Sequence, residues 1–121
     1  KLASTFKRIA SHLNSVAEIL KSYGLSEKEI VFLKKFIENE KNMLEDGIEA
    51  FVTNNKDLAL ATIEKDQINN DLFIDAINFA ADENKNDMIG PVELSNKILL
   101  FKYFERLGDR LARVADLATR L

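Results

Sequence analysis

Apolar residues recur at every third or fourth position along almost the whole chain. The clearest case is the C-terminal stretch, whose stripe consists of Phe104, Leu107, Leu111, Val114, Ala118 and Leu121. This spacing places the side chains on one face of an α-helix. No segment alternates apolar and polar residues for long enough to form a strand. The pattern therefore predicts an all-α protein.

Breaks in the pattern divide it into four predicted helices, at about residues 3–23, 26–53, 56–82 and 91–121. Gly24 is suited to end the first helix, because glycine accepts the left-handed conformation of a C-terminal cap. Ser26 and Glu29 have the Ser-x-x-Glu spacing of a capping box, which opens the second helix. Pro91 stands in the first turn of the fourth, where a missing N–H is tolerated. Because short links between long helices favour antiparallel neighbours, we predict an antiparallel up-down bundle.

The same spacing predicts which faces of the middle helices are buried. The second helix presents Ile30, Leu33, Ile37, Leu44, Ile48 and Phe51. The third presents Leu58, Ala61, Ile68, Leu72, Ala76 and Phe79. We expect these faces to close the core with the stripe of the fourth helix.

The composition of the 121-residue chain excludes several classes of protein. The chain contains no Cys, which removes disulfides, thiolate nucleophiles and thiolate metal sites. A formal net charge of −3 argues against nucleic acid as the main partner. No apolar run approaches the roughly 18 residues of a membrane span, and no signal peptide is visible. Because the sequence starts at Lys1 and stops inside a helical pattern, we expect it to be part of a longer protein.

An acidic pair lies on the fourth predicted helix, where Glu105 and Asp109 are four residues apart and share one face. Like charges at this spacing repel each other, and a bound cation would reverse the effect. The alternative is an exposed pair that is neutralised by the bases around it. Gly108 between the two acids costs about 1 kcal/mol of helix stability relative to Ala, which suggests close approach of another part of the protein.

The segment Phe-Glu-Arg-Leu-Gly-Asp-Arg at 104–110 resembles the Glu-Arg-Ile-Gly-Asp-(His/Arg) signature that closes each repeat of the PhoU family. That family regulates phosphate uptake in bacteria and archaea. Its members are built from two three-helix repeats, and their Glu/Asp-x-x-x-Asp motifs hold metal ions. The resemblance covers about residues 40–121, and more weakly residues 1–20. It implies that residues 25–121 form one complete PhoU-like three-helix repeat.

Residues 6–20 align without gaps with residues 104–118, and the two segments share Phe, Arg, Leu, Val and Ala at matching positions. This alignment predicts that residues 1–24 are the closing helix of a preceding, degenerate repeat. The alternative is that two amphipathic helices merely share an apolar period. The first copy lacks the acidic pair, because lysine and serine stand in its place.

The resemblance also implies an acidic motif in the middle helix of the repeat, where Asp66 and Asn70 offer oxygens four residues apart. Asn69 competes with Asn70 for the amide position. The predicted metal ligands are Asp66, Asn70, Glu105 and Asp109. Oxygen ligands suit hard or borderline ions, and the resemblance implies iron, zinc, manganese or magnesium. Asn70 is neutral where many members have Asp, and Arg113 replaces their usual Asn, so both should weaken binding.

The sequence lacks a nucleophile–base pair, a phosphate-binding loop and a Glu-x-x-His motif, so we predict a protein that is not an enzyme. The resemblance implies a cytoplasmic regulator at the inner face of the membrane. Its implied partners are the ATPase subunit of a phosphate transporter, a phosphate-sensing histidine kinase and a second copy of the chain. Two alternatives stay open, the cytoplasmic PhoU-like domain of a sodium–phosphate cotransporter and a metal-free helical-bundle interaction module. A carboxylate-bridged metalloenzyme would need histidine ligands, of which the sequence gives no sign.

Overall fold

The computed structural model describes residues 7, 8, 11, 14, 18 and 24–120. Within 24–120 the helices are α1 (Glu27–Thr53), α2 (Lys56–Glu64), α3 (Asp66–Lys85) and α4 (Pro91–Thr119). The described residues contain no strand, so the all-α prediction is confirmed. None of their helices is both long and apolar enough to cross a membrane. The closing helix predicted at 1–24 lies largely outside the described residues.

The helix boundaries follow from capping chemistry. The Ser26 hydroxyl accepts the N–H of Glu29 at 3.3 Å, while the Glu29 carboxylate accepts the N–H of Ser26 at 3.0 Å. This is the predicted capping box. α1 ends where Asn54 adopts a left-handed φ of 55°, and the side chain of Asn55 caps α2 by accepting a backbone N–H at 3.0 Å. Pro91 stands in the first turn of α4, as predicted.

One irregularity interrupts the helix that was predicted to be continuous over 56–82. The break lies at Lys65, between α2 and α3. The Lys65 carbonyl accepts the N–H of Ile68 at 3.1 Å, which is a tighter turn than that of an α-helix. From α1, the side chain of Asn39 donates to the same carbonyl at 3.0 Å, and Asp46 pairs with the Lys65 ammonium at 2.7 Å. Two contacts from α1 therefore hold the break in place.

α4 is the central helix and contacts each of the other three. It runs parallel to α1, since the ring of Phe36 stacks on that of Phe104 at 5.5 Å and, further along both helices, a Cβ atom built on Gly47 would lie 3.8 Å from the backbone nitrogen of Ala115. α3 runs the opposite way, because its C-terminal half meets the start of α1 and its first turn meets the middle. The predicted up-down arrangement is confirmed.

The core changes in character along the bundle. One end is filled by large side chains, with Phe32, Phe36, Leu72, Leu100, Phe101 and Phe104 among them. The other end is formed by Ala50, Ala59 and Ala118. Large rings hold the helices apart, whereas alanines let their backbones come close. Between the two ends, the core consists of Met43, Leu107 and Leu111, next to Gly108.

The predicted core faces are correct for α4 and wrong in part for α1 and α3. The α4 stripe is buried through Ala118, while Leu121 lies outside the described residues. On α1, the isoleucines 30, 37 and 48 are exposed, Ile37 by 54%. The α1 residues that enter the core are Phe32, Leu33, Phe36, Met43, Gly47 and Ala50. On α3, Ile68 is exposed and Asn69 is buried. α1 carries apolar residues on two adjacent faces, and the positions of α3 and α4 decide which face is buried.

A buried ion cluster joins three helix ends. The ammonium of Lys97 lies 2.9 Å from Glu29, 3.4 Å from Glu83 and 3.3 Å from Glu93. Glu29 is fully buried and Lys97 nearly so. Charges removed from water are tolerated only when they are paired. The cluster therefore fixes the start of α1, the end of α3 and the start of α4 relative to one another.

A candidate carboxylate site where three helices meet

α3 lies directly against the backbone of α4 at Gly108. A Cβ atom at this position would overlap the amide nitrogen of Asn69 and would lie 2.6 Å from Oδ1 of Asp66. Cβ atoms essentially never come this close to other atoms, so only glycine leaves room for both side chains. The close approach that the glycine predicted is confirmed.

The structure brings three of the four predicted ligands to this crossing, namely Asp66 of α3 with Glu105 and Asp109 of α4. Asp109 is exposed as a residue, and its carboxyl lies near enough to that of Asp66 to share a proton with it. Partial removal from water, and then the interaction with Asp66, raise the pKa of Asp109 to about 6, against the opposing charges of Lys102 and Arg110. Oε1 of Glu105 is buried and meets the Lys102 ammonium at 2.8 Å as an ion pair, without the geometry of a hydrogen bond.

The two candidate amides occupy different environments. Asn69 faces Gly108 and is fully buried, whereas Asn70 is half-buried. Asn69 accepts a hydrogen bond from Asn39 at 3.0 Å through Oδ1, and it donates to Oδ1 of Asp66 at 3.1 Å through Nδ2. Its amide oxygen is thus engaged with α1, and its amide nitrogen orients Asp66. The spacing alone did not separate this positioning role from that of a ligand.

Glu40 of α1 reaches the same place and was not singled out from the sequence. Its side chain is only 4% exposed, and neither carboxyl oxygen has a hydrogen-bond partner among the described residues. Burial, and then the charge of Asp66, raise the pKa of Glu40 to about 9. Asp109 and Glu105 add to this rise, while the backbone of Gly108 opposes it. A signal was present in the core spacing of α1, which runs through Leu33, Phe36, Glu40, Met43 and Gly47.

A known protein family matches the part of the chain that contains this crossing. The family model described as the PhoU domain matches residues 33–118. The chain belongs to the PhoU domain family. The matched range includes Glu40, Gly108 and all four predicted ligands, so the whole crossing lies within the PhoU domain.

Two curated relatives align with nearly the whole chain. The phosphate-specific transport system accessory protein PhoU homolog 1 of Methanothermobacter thermautotrophicus is 29% identical over 119 residues. The phosphate-specific transport system accessory protein PhoU homolog of Clostridium acetobutylicum is 25% identical over 119 residues. Each alignment covers 96% of this chain and 54% of the relative, so the chain spans about half the length of these relatives. No solved structure matches the chain.

The PhoU domain thus gathers oxygen donors from three helices at one level of the bundle. The raised pKa values of Glu40 and Asp109 reflect first the removal of each carboxyl from water and then the acids near it, above all Asp66. Within the part of the chain that the structure describes, no three acidic or histidine side chains already converge as a metal-binding group. Carboxylates of like charge stay apart unless a proton or a cation lies between them. Binding an ion here would therefore require these side chains to draw together.

Proposed function

We propose that this PhoU domain regulates phosphate uptake or phosphate signalling by docking to other proteins. The observation that carries this proposal is the PhoU match over residues 33–118, with two relatives that are named as accessory proteins of phosphate-specific transport systems. The partners would be the ATPase subunit of a phosphate transporter and a phosphate-sensing histidine kinase, at the cytoplasmic face of the membrane. The role is non-catalytic, which agrees with a sequence that has no Cys and a single His.

Phosphate uptake in living cells tests the regulatory role. Cells that lack the gene should take up radiolabelled phosphate faster than wild-type cells when phosphate is plentiful. Returning the intact gene should lower the uptake rate to that of the wild type. The protein should also co-purify with the transporter ATPase subunit. Uptake that does not change on deletion would contradict the proposal.

We further propose that Asp66, Asn70, Glu105 and Asp109 hold a divalent or trivalent metal ion, of which iron, zinc, manganese and magnesium are the candidates. The donor set fits a hard or borderline ion, because every ligand atom is an oxygen and the chain has no thiolate. The nearness of the Asp66 and Asp109 carboxyls supports the proposal, since a cation could take the place of a proton between them. The ion would join α3 to α4 beside Gly108 and neutralise charges that otherwise repel.

Elemental analysis of the purified protein, before and after treatment with a chelator, tests the metal site. The double variant Glu105→Gln, Asp109→Asn should lower metal affinity by roughly tenfold or more, because it removes two charged ligands. The control is Glu45→Gln, Glu49→Gln, an exposed pair with the same spacing on α1. If the wild-type protein retains no metal and binds none on addition, the domain acts by docking alone.

A further inference from the structure

The outer face of α4 carries three arginines in a row. Arg106, Arg110 and Arg113 are four and three residues apart, which places them on one side of the helix. Arg106 and Arg113 are exposed, and Arg110 is half-buried. Like charges at these spacings repel each other and weaken a helix. The row is therefore unfavourable by itself, although the chain as a whole has a formal net charge of −3.

Arg8 brings a fourth guanidinium group to this row from the N-terminal part of the chain, where it is helical and exposed. Partial removal from water, and then the charge of Arg8, lower the pKa of Arg110. Arg113 and Arg106 act in the same direction, and Asp109 opposes them. Because Arg8 must lie near Arg110 to act on it, two segments of the chain bring positive charge to one place. We call Arg8, Arg106, Arg110 and Arg113 the arginine cluster.

The arginine cluster has no acidic partner among the described residues. No carboxylate there forms an ion pair with any of its members, and Nε of Arg110 is buried without a hydrogen-bond acceptor. Two other bases of α4 are paired. The Lys102 ammonium lies 2.8 Å from Glu105, and the Arg120 guanidinium lies 3.0 Å from Asp116. The positive charge of the cluster is thus left without compensation while that of its neighbours is balanced.

We infer that the arginine cluster binds a phosphate group, which either free phosphate or the headgroup of an anionic lipid could supply. A guanidinium group presents a planar set of N–H donors that matches two phosphate oxygens, and it stays charged at physiological pH. Arg106 and Arg113 are about 10 Å apart along the helix axis, a span that two long side chains can close around one anion. A bound anion would replace repulsion within the cluster by attraction.

This site lies apart from the proposed metal ligands in its chemistry, because it offers only positively charged donors. It requires neither a bound metal nor the regulatory role. Failure of the experiments below would therefore leave both of those proposals standing.

Calorimetric titration of the full chain with inorganic phosphate tests the first source, with a chelator present so that no metal can hold the phosphate. The double variant Arg106→Gln, Arg113→Gln should bind phosphate about tenfold more weakly or worse, because it removes two charge-assisted contacts. Both positions are exposed, so the fold should persist. The control is Arg120→Gln, an exposed arginine of the same helix that is paired with Asp116, and it should bind as the wild type does.

Co-sedimentation with vesicles tests the second source. The vesicles consist of phosphatidylcholine alone or with phosphatidylglycerol added. Sedimentation that requires phosphatidylglycerol, without binding of inorganic phosphate, assigns the site to a lipid headgroup. Binding of inorganic phosphate without sedimentation assigns it to the free anion. In either case the double variant should lose the binding, and Arg120→Gln should keep it.

Two results would overturn the inference. One is a wild-type protein that binds neither inorganic phosphate nor the phosphatidylglycerol vesicles. The other is an equal loss of binding in Arg120→Gln and in the double variant, which would show an effect of net charge rather than of the cluster. Melting temperatures provide a check on the fold. Without ligand the double variant should melt as the wild type does, and the bound ligand should raise the melting temperature of the wild type alone.

Discussion

Asn39 on α1 donates a hydrogen bond of 3.0 Å to the backbone carbonyl of Lys65, at the break between α2 and α3. The same amide group donates to Asn69 at 3.0 Å, and Asn69 in turn holds Asp66. Because the helix is broken at Lys65, the carbonyl of this residue is accessible to the Asn39 side chain. The hydrogen bond between them fixes the first turn of α3 against α1. The position of Asp66 beside Gly108 thus depends on a contact from another helix.

Replacement of Asn39 by Ala should lower the free energy of unfolding by about 1–3 kcal/mol, because it leaves Oδ1 of Asn69 without its Asn39 donor and the Lys65 carbonyl with the N–H of Ile68 alone. Urea denaturation measures the change. Asn42→Ala is the control, an exposed asparagine on the same helix, and it should stay within about 0.5 kcal/mol of the wild type. Equal midpoints for the two variants would show that the contact contributes little.

Gly108→Ala should destabilise the protein and weaken the proposed metal site. Alanine gains about 1 kcal/mol in helix propensity, but overpacking costs roughly 1–3 kcal/mol. The overlapping amide of Asn69 is buried and hydrogen-bonded on both sides, so it cannot move away easily.

Gly47→Ala is the matched control for Gly108→Ala. It is also a helical glycine, but its Cβ would meet neighbours only at 3.8–3.9 Å. It should be neutral or stabilising in thermal denaturation. If both alanines stabilise the protein, the crossing at Gly108 is less tight than the structure indicates.

The stability of the metal-free protein should fall as the pH rises. Burial and nearby acids raise the pKa of Glu40 from 4.5 to about 9 and that of Asp109 from 3.8 to about 6. Between these values the folded state keeps protons that the unfolded state has lost, so each unit of pH removes at most about 1.4 kcal/mol through the buried Glu40. Asp109 contributes less, because it is exposed and water screens its interactions. Both groups act between about pH 4 and 6, and Glu40 alone acts between about pH 6 and 9.

Urea denaturation at about pH 5 and about pH 8 checks this dependence, with a chelator present throughout. The wild type should be less stable at the higher pH, and Glu40→Gln should show a much smaller difference because its amide does not titrate. A wild type whose stability rises over this range would contradict the burial of an unpaired Glu40.

Lys97→Met should destabilise the fold by about 3–5 kcal/mol, since Glu29 and Glu83 would lose the cation between them. Glu93→Gln removes the most exposed member of the same cluster, at 33% exposure, and should cost about 1 kcal/mol or less. The double variant Lys97→Met, Glu29→Gln should regain part of the loss. Thermal denaturation distinguishes these cases, and equal effects of Lys97→Met and Glu93→Gln would contradict a buried cluster.

Local information in the chain was enough to predict the helical fold and most of its boundaries. The capping box at Ser26 and Glu29 and the proline at the start of α4 act over a few residues, so they can be read without knowledge of the rest. The α4 stripe was correct because α4 is the central helix and has one broad apolar face. The close approach at Gly108 was predicted because glycine weakens a helix relative to alanine, which suggests that another group packs tightly against it.

The packing of the helices on one another determined the remaining features. α1 has two apolar faces, and only the positions of α3 and α4 bury the one with Phe36 rather than the one with Ile37. The inward turn of Asn69 follows from the break at Lys65, which α1 holds. Glu40 and Asp66 are far apart in sequence and meet only because α1, α3 and α4 cross at Gly108. A contact of this kind depends on the relative placement of three helices, and periodicity within any one of them carries no information about it.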